Sequence, residues 1–119
     1  DEVSLWGRTL VLDVSVSGIV RHYWTAAELG LPECAVGELR ITGPEESANV
    51  IRGVFSGVRG AAADMVLANA AAGLLVLGAV PNIAAGVERA REAVVSGAAE
   101  AQLQRLIAWT RNAAAKRAV

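Results

Sequence analysis

The run from Asp64 to Gly78, DMVLANAAAGLLVLG, constrains the fold more than any other stretch, because it is apolar on every face rather than along one stripe. A helix of that kind has to be buried. At about fifteen residues, with Asn69 and Gly73 inside it, it falls short of the roughly 20 predominantly apolar residues that cross a bilayer, so it reads as a core helix. Asn69 is polar in apolar surroundings, where an unpartnered amide costs about 1–3 kcal/mol. It is therefore expected to clamp a neighbouring loop. The helix itself is scaffold, and chemistry has to be sought elsewhere.

Alternation from Arg8 to Val16 puts Leu10, Leu12, Val14 and Val16 on one face and Thr9, Val11, Asp13 and Ser15 on the other, the period of a half-buried strand. Ser17-Gly18 turns the chain, and Ile19 to Trp24 is β-branched and aromatic, so the two runs predict a hairpin. Two strands alone are marginal in water. The hairpin should join a larger sheet or lie on a helix. Thr25 and Glu28 stand at capping-box spacing, predicting one helical turn that ends at Gly30 before Pro32. Glu38 to Ile41 reads as short and extended. Thr42-Gly43-Pro44 starts a helix to about Ser56, with Ala48, Ile51, Val54 and Phe55 at helical spacing and Gly57 as a left-handed stop. Residues Val58 to Ala63 form a link to the core helix. Beyond Pro81-Asn82, the residues Ile83, Val87, Ala90 and Val94 mark the buried stripe of another helix, stopped by Ser96-Gly97. The last helix directs Leu103, Leu106, Ile107 and Trp109 inward and frays through Asn112 and the alanines. The expected inventory is one hairpin and four main helices.

The 119 residues are one domain's worth. Apolar residues make up 54% and charged residues 19%, which argues against disorder and suggests more buried surface than a free-standing domain of this size provides. The chain opens on two acids without an initiator methionine, as expected for a piece of a longer protein. A net charge of −1 supplies no basic field for nucleic acid or anionic lipid. The one loose basic cluster is Arg111, Lys116 and Arg117. A single cysteine, Cys34, forms no internal disulfide and fits a reducing cytoplasm.

Asp1 and Glu2 are adjacent hard oxygen donors of the kind that hold Mg²⁺, although acidic dipeptides are also common on solvated surfaces. His22 has no serine or cysteine arranged around it and reads as an ordinary strand residue. Cys34 has no second cysteine or metal-spaced histidine, so it reads as a bystander thiol. No Gly-x-Gly-x-x-Gly or Walker pattern occurs, so no phosphate loop lies within the chain.

Taken as an ordered series, DEVSL, TAAELGL, PEESANVIRGVFSG, GAAADMVLANAAAGLLVLG and GVERAREAVVSGAAEAQLQRL resemble the C-terminal part of anthranilate phosphoribosyltransferase, over nearly the whole chain. The most specific words are Asp1-Glu2-Val3-Ser4, Asn49 through Gly57, Gly60 to Asp64 with Leu67 to Ala71, and Ser96-Gly97 with Leu103 and Leu106. The resemblance implies an α/β fragment, a hairpin plus four main helices completing the large domain of the nucleoside phosphorylase/phosphoribosyltransferase fold. It implies transfer of phosphoribose from phosphoribosyl pyrophosphate to anthranilate in tryptophan biosynthesis, in a cytoplasmic homodimer. It also implies that Asp1 and Glu2 bind the Mg²⁺ that neutralises the departing pyrophosphate. Departures are Ala26 and Ala61 in place of prolines and Ala98 in place of a lysine. The family's Gly-Thr-Gly-Gly-Asp loop, its Lys-His-Gly-Asn-Arg stretch, its anthranilate-binding arginine and its small helical N-terminal domain are expected upstream. The chain alone is expected to be inactive, with no catalytic residue of its own. A nucleic-acid-binding relative of the same fold, a nucleoside phosphorylase relative and a purely structural helical fragment are the other readings.

Overall fold

A computed structural model describes residues 2–117, with side chains to residue 113. An antiparallel hairpin, β1 (Thr9–Ser15) and β2 (Gly18–Trp24), is followed by α1 (Ala26–Leu29), a 3₁₀ turn (Val36–Leu39), α2 (Pro44–Phe55), α3 (Ala61–Val76), α4 (Ile83–Val95) and α5 (Ala98–Arg117). Among the described residues this is an α/β fragment with one hairpin and five helices.

Local signals place most of the boundaries. Thr25 and Glu28 form the capping box, with the Glu28 carboxylate accepting from the Thr25 N–H at 2.8 Å and the Thr25 hydroxyl from the Glu28 N–H at 3.4 Å. Gly30 and Gly57 sit in the left-handed region at φ 69° and 90°, where only glycine is unstrained, and so end α1 and α2. Asn82 caps α4 by accepting from the Ala85 N–H at 2.9 Å.

The core gathers Val3 and Leu5 from the opening segment, Ala26 and Leu29 from α1, and Leu31. Leu67, Ala68 and Ala71 of α3 and Ile83, Val87 and Ala90 of α4 complete it. Three of the four stripe residues expected on α4, Ile83, Val87 and Ala90, are buried, and Val94 is half-buried against them.

Several expectations are corrected. The Val36–Leu39 segment winds into a 3₁₀ turn because the Glu38 carboxylate reaches back to accept from the Ala35 N–H at 2.7 Å; extended backbone resumes only at Arg40. The core helix starts at Ala61 rather than Asp64, since Ala61 to Ala63 are strong helix formers. The last helix continues through the alanines to Arg117 for the same reason, and it leaves Leu106 and Trp109 53% and 68% exposed. In α2, only Val54 is fully buried and Ile51 is exposed. The hairpin connection is Val16-Ser17, one residue earlier than expected, with the Ser15 and Ser17 hydroxyls 2.8 Å apart.

Two corrections concern what covers the apolar faces. α3 is not enclosed: Leu67, Ala68 and Ala71 are buried, whereas Val76 and Leu77 at its end are 87% and 80% exposed. Among the described residues the sheet has only two strands. The Val11 and Trp24 side of the hairpin is the half-buried one, and Trp24 packs on the core. The richer apolar face, with Leu10, Leu12 and Val14 opposite Tyr23, Arg21 and Ile19, lies open. The radius of gyration is 16.4 Å, whereas a compact domain of this length has about 13.5 Å. No helix of the described residues is long and apolar enough to cross a membrane.

Candidate functional site

The opening acidic segment is the best candidate site, and the backbone directly after it is fixed from three directions. Val3 is buried, and its N–H donates to the Asn69 side-chain oxygen at 2.9 Å while its C=O accepts from the Asn69 amide nitrogen at 3.0 Å. The next residue, Ser4, donates its N–H to the Thr9 hydroxyl at 2.9 Å. Leu5, fully buried, accepts through its carbonyl from the Cys34 N–H at 3.2 Å. Consecutive residues are thus tied to α3, to β1 and to the connector after α1.

Glu2 stands exposed immediately before this anchored run. Asp1 lies outside the described residues, as do the side chains of Lys116 and Arg117. The donor set suits Mg²⁺ chemically: two carboxylates are hard oxygen ligands, and this ion ordinarily keeps several waters and takes phosphate oxygens for the rest. Among the described residues no group of three or more His, Cys, Asp or Glu side chains is placed to hold a metal.

Asn69 is the clamp expected from its position in an apolar helix. Its second amide hydrogen bond goes to the Met65 carbonyl at 2.9 Å, one turn back in α3. The sequence showed that Asn69 needs partners; that the partner is Val3, 66 positions away, carried no sequence signal. Thr9 and the Cys34 N–H were likewise missed as anchors.

His22 is exposed on β2, 3.9 Å from the Asp13 carboxylate, a loose diagonal pair across the hairpin. Cys34 is a free, half-buried thiol whose pKa is raised, chiefly by burial and further by the nearby Glu38 and Asp64 charges. It stays protonated near neutral pH and is a poor nucleophile. Burial also raises the Asp64 carboxyl, against the opposing pull of Arg91. A cleft of about 410 Å³ opens where α2 meets the start of α3, lined by Glu46, Asn49, Val54, Arg59 and Gly60 among others.

The fold belongs to a defined class. Residues 1–100 match the model of the glycosyl transferase family, a/b domain, and the chain belongs to that family. Its relatives include the anthranilate phosphoribosyltransferase of Halorhodospira halophila, 40% identical over 114 residues, which span 96% of this chain and 33% of that protein. That of Methylobacterium nodulans is 43% identical over 108 residues, 91% of this chain and 32% of that protein. Among solved structures, anthranilate phosphoribosyltransferase from Thermus thermophilus matches with a TM-score of 0.79 at 34% identity, covering 90% of this chain and 32% of that one. The chain therefore spans about a third of the length of these relatives. The relatives named here are all anthranilate phosphoribosyltransferases.

Proposed function

We propose that this chain is the C-terminal part of the α/β domain of an anthranilate phosphoribosyltransferase, which transfers phosphoribose from phosphoribosyl pyrophosphate to the amine of anthranilate in tryptophan biosynthesis. The observation that carries this reading is identity of about two residues in five with anthranilate phosphoribosyltransferases over almost the whole chain. The helical domain, the pyrophosphate loop and the anthranilate pocket belong to the preceding part of the same polypeptide, in a cytoplasmic homodimer. The open faces of α3 and of the hairpin are the surfaces that this preceding part would cover.

Within this reading, Asp1 and Glu2 hold Mg²⁺. Bound there, Mg²⁺ supplies positive charge to the diphosphate on which negative charge grows as the C1–oxygen bond breaks. The chain's own contribution is to anchor the backbone that follows Glu2, through Val3, Ser4 and Leu5. A carboxylate held in place needs little rearrangement as charge develops.

The test is Asp1→Asn combined with Glu2→Gln in the intact protein. The Mg²⁺ concentration for half-maximal turnover is expected to rise at least tenfold, with an unchanged melting temperature. An unchanged Mg²⁺ requirement would remove the acidic pair from the site.

A further inference from the structure

We infer that Asn69 is a positioning residue for Glu2, acting through the backbone of Val3; this rests on the Mg²⁺ role proposed for Asp1 and Glu2. The Asn69 amide is fully committed. Its oxygen accepts from the Val3 N–H, and its nitrogen donates to the carbonyls of Val3 and Met65, at 2.9–3.0 Å throughout. Toward Val3 it behaves as a neighbouring strand residue does, taking up both the N–H and the C=O.

The leverage on Glu2 is geometric. The Val3 N–H belongs to the peptide unit joining Glu2 to Val3, and the six atoms of that unit are coplanar. Holding the N–H from one side, and the buried Val3 side chain from the other, sets the plane that contains the Glu2 Cα. The Met65 bond ties the Asn69 amide to its own helix, so the reference point is the rigid core rather than a loop. Further along, the Ser4 and Leu5 bonds prevent the segment from sliding along its own axis. A site is held this way when displacement of about an ångström costs much of its function.

Asn69→Asp keeps the side chain's shape and one acceptor for the Val3 N–H but removes both donors and sets a carboxylate against two carbonyl oxygens. It is made in the intact protein together with the milder Asn69→Ser, in case the charged variant does not fold. Binding of Mn²⁺ in the presence of pyrophosphate is measured by electron paramagnetic resonance, alongside thermal melting. Val54→Ala serves as the control, because Val54 is buried outside the core cluster that contains Val3.

Groups bonded directly to a metal ligand are worth about 10–100-fold in metal affinity, and Asn69 acts one residue further out, through Val3. Asn69→Asp is therefore expected to weaken Mn²⁺ binding by up to about tenfold and Asn69→Ser by a smaller factor, whereas Val54→Ala lowers the melting temperature and leaves Mn²⁺ affinity as it was. Wild-type Mn²⁺ affinity in a folded Asn69 variant overturns the positioning role. If the Asp1→Asn, Glu2→Gln protein also binds Mn²⁺ normally, the acidic-pair reading fails with it; if only that protein loses affinity, the positioning role alone fails.

Discussion

Gly86 of α4 faces Ala71 of α3 so closely that a Cβ on residue 86 would stand 2.9 Å from the Ala71 Cβ and 3.0 Å from its Cα and carbonyl oxygen. Both positions are buried. Glycine opposite alanine lets the two helix backbones approach closely at the centre of the core. Alanine is the better helix former by about 1 kcal/mol, so propensity alone would favour Gly86→Ala. The contact is to backbone, however, and one of the helices must move to relieve it, at a cost of about 1–3 kcal/mol. Packing is expected to win.

Gly86→Ala should accordingly lower the unfolding free energy of the intact protein by up to about 2 kcal/mol, and Gly86→Val by more. Denaturant titration checks this. A stabilised Gly86→Ala protein would show that the helices separate there freely.

Thr25→Ala removes the hydroxyl half of the capping box in front of the buried Ala26 and Leu29. Loss of about 0.5–2 kcal/mol is expected. Thr25→Ser should retain most of the stability, since its hydroxyl can still accept from the Glu28 N–H. Equal losses in the two variants would assign the effect to the Thr25 methyl group instead.

Glu46 accepts from both the Thr42 N–H and the Thr42 hydroxyl at 2.6 Å, and these bonds hold its carboxyl below its ordinary pKa. A depressed carboxyl stabilises the fold fully above its unfolded-state pKa, and that stabilisation is lost as the pH falls through the folded-state value. The stability difference between wild type and Glu46→Gln is thus expected to be constant near neutral pH and to shrink in the acid range. Unfolding measured across that range checks the sign. A difference that grows on acidification would contradict the two bonds as the cause.

The open apolar surface predicts how the 119-residue segment behaves by itself. Val14 and Ile19 lie exposed opposite each other on the hairpin, and Val76 and Leu77 lie exposed at the end of α3. Sedimentation of the isolated segment should reveal self-association, and it should transfer no phosphoribose. A monodisperse, active segment would refute both expectations.

Elements whose causes act within a few residues were legible in the sequence. The capping box at Thr25 and Glu28, the glycine stops at Gly30 and Gly57, and the stripe Ile83, Val87 and Ala90 depend only on near neighbours and on the period of the backbone. The family resemblance was legible too, because it rests on the order of words along the chain. Where a local competitor existed, the sequence reading failed: the Glu38 carboxylate turned an expected extended segment into a 3₁₀ turn, and alanine propensity carried the last helix through an expected fray.

The tertiary structure alone decided which surfaces meet. Periodicity placed Leu10, Leu12 and Val14 on one side of the hairpin, yet the core lies under the other side, with Val11 and Trp24. Uniform hydrophobicity required α3 to have cover without saying which part of it α4 and the opening segment would supply. Asn69 announced that it needed hydrogen bonds, but only the closure of the chain brought Val3 to it from 66 positions away. A residue's chemistry sets what it must find; the path of the chain sets which group is within reach.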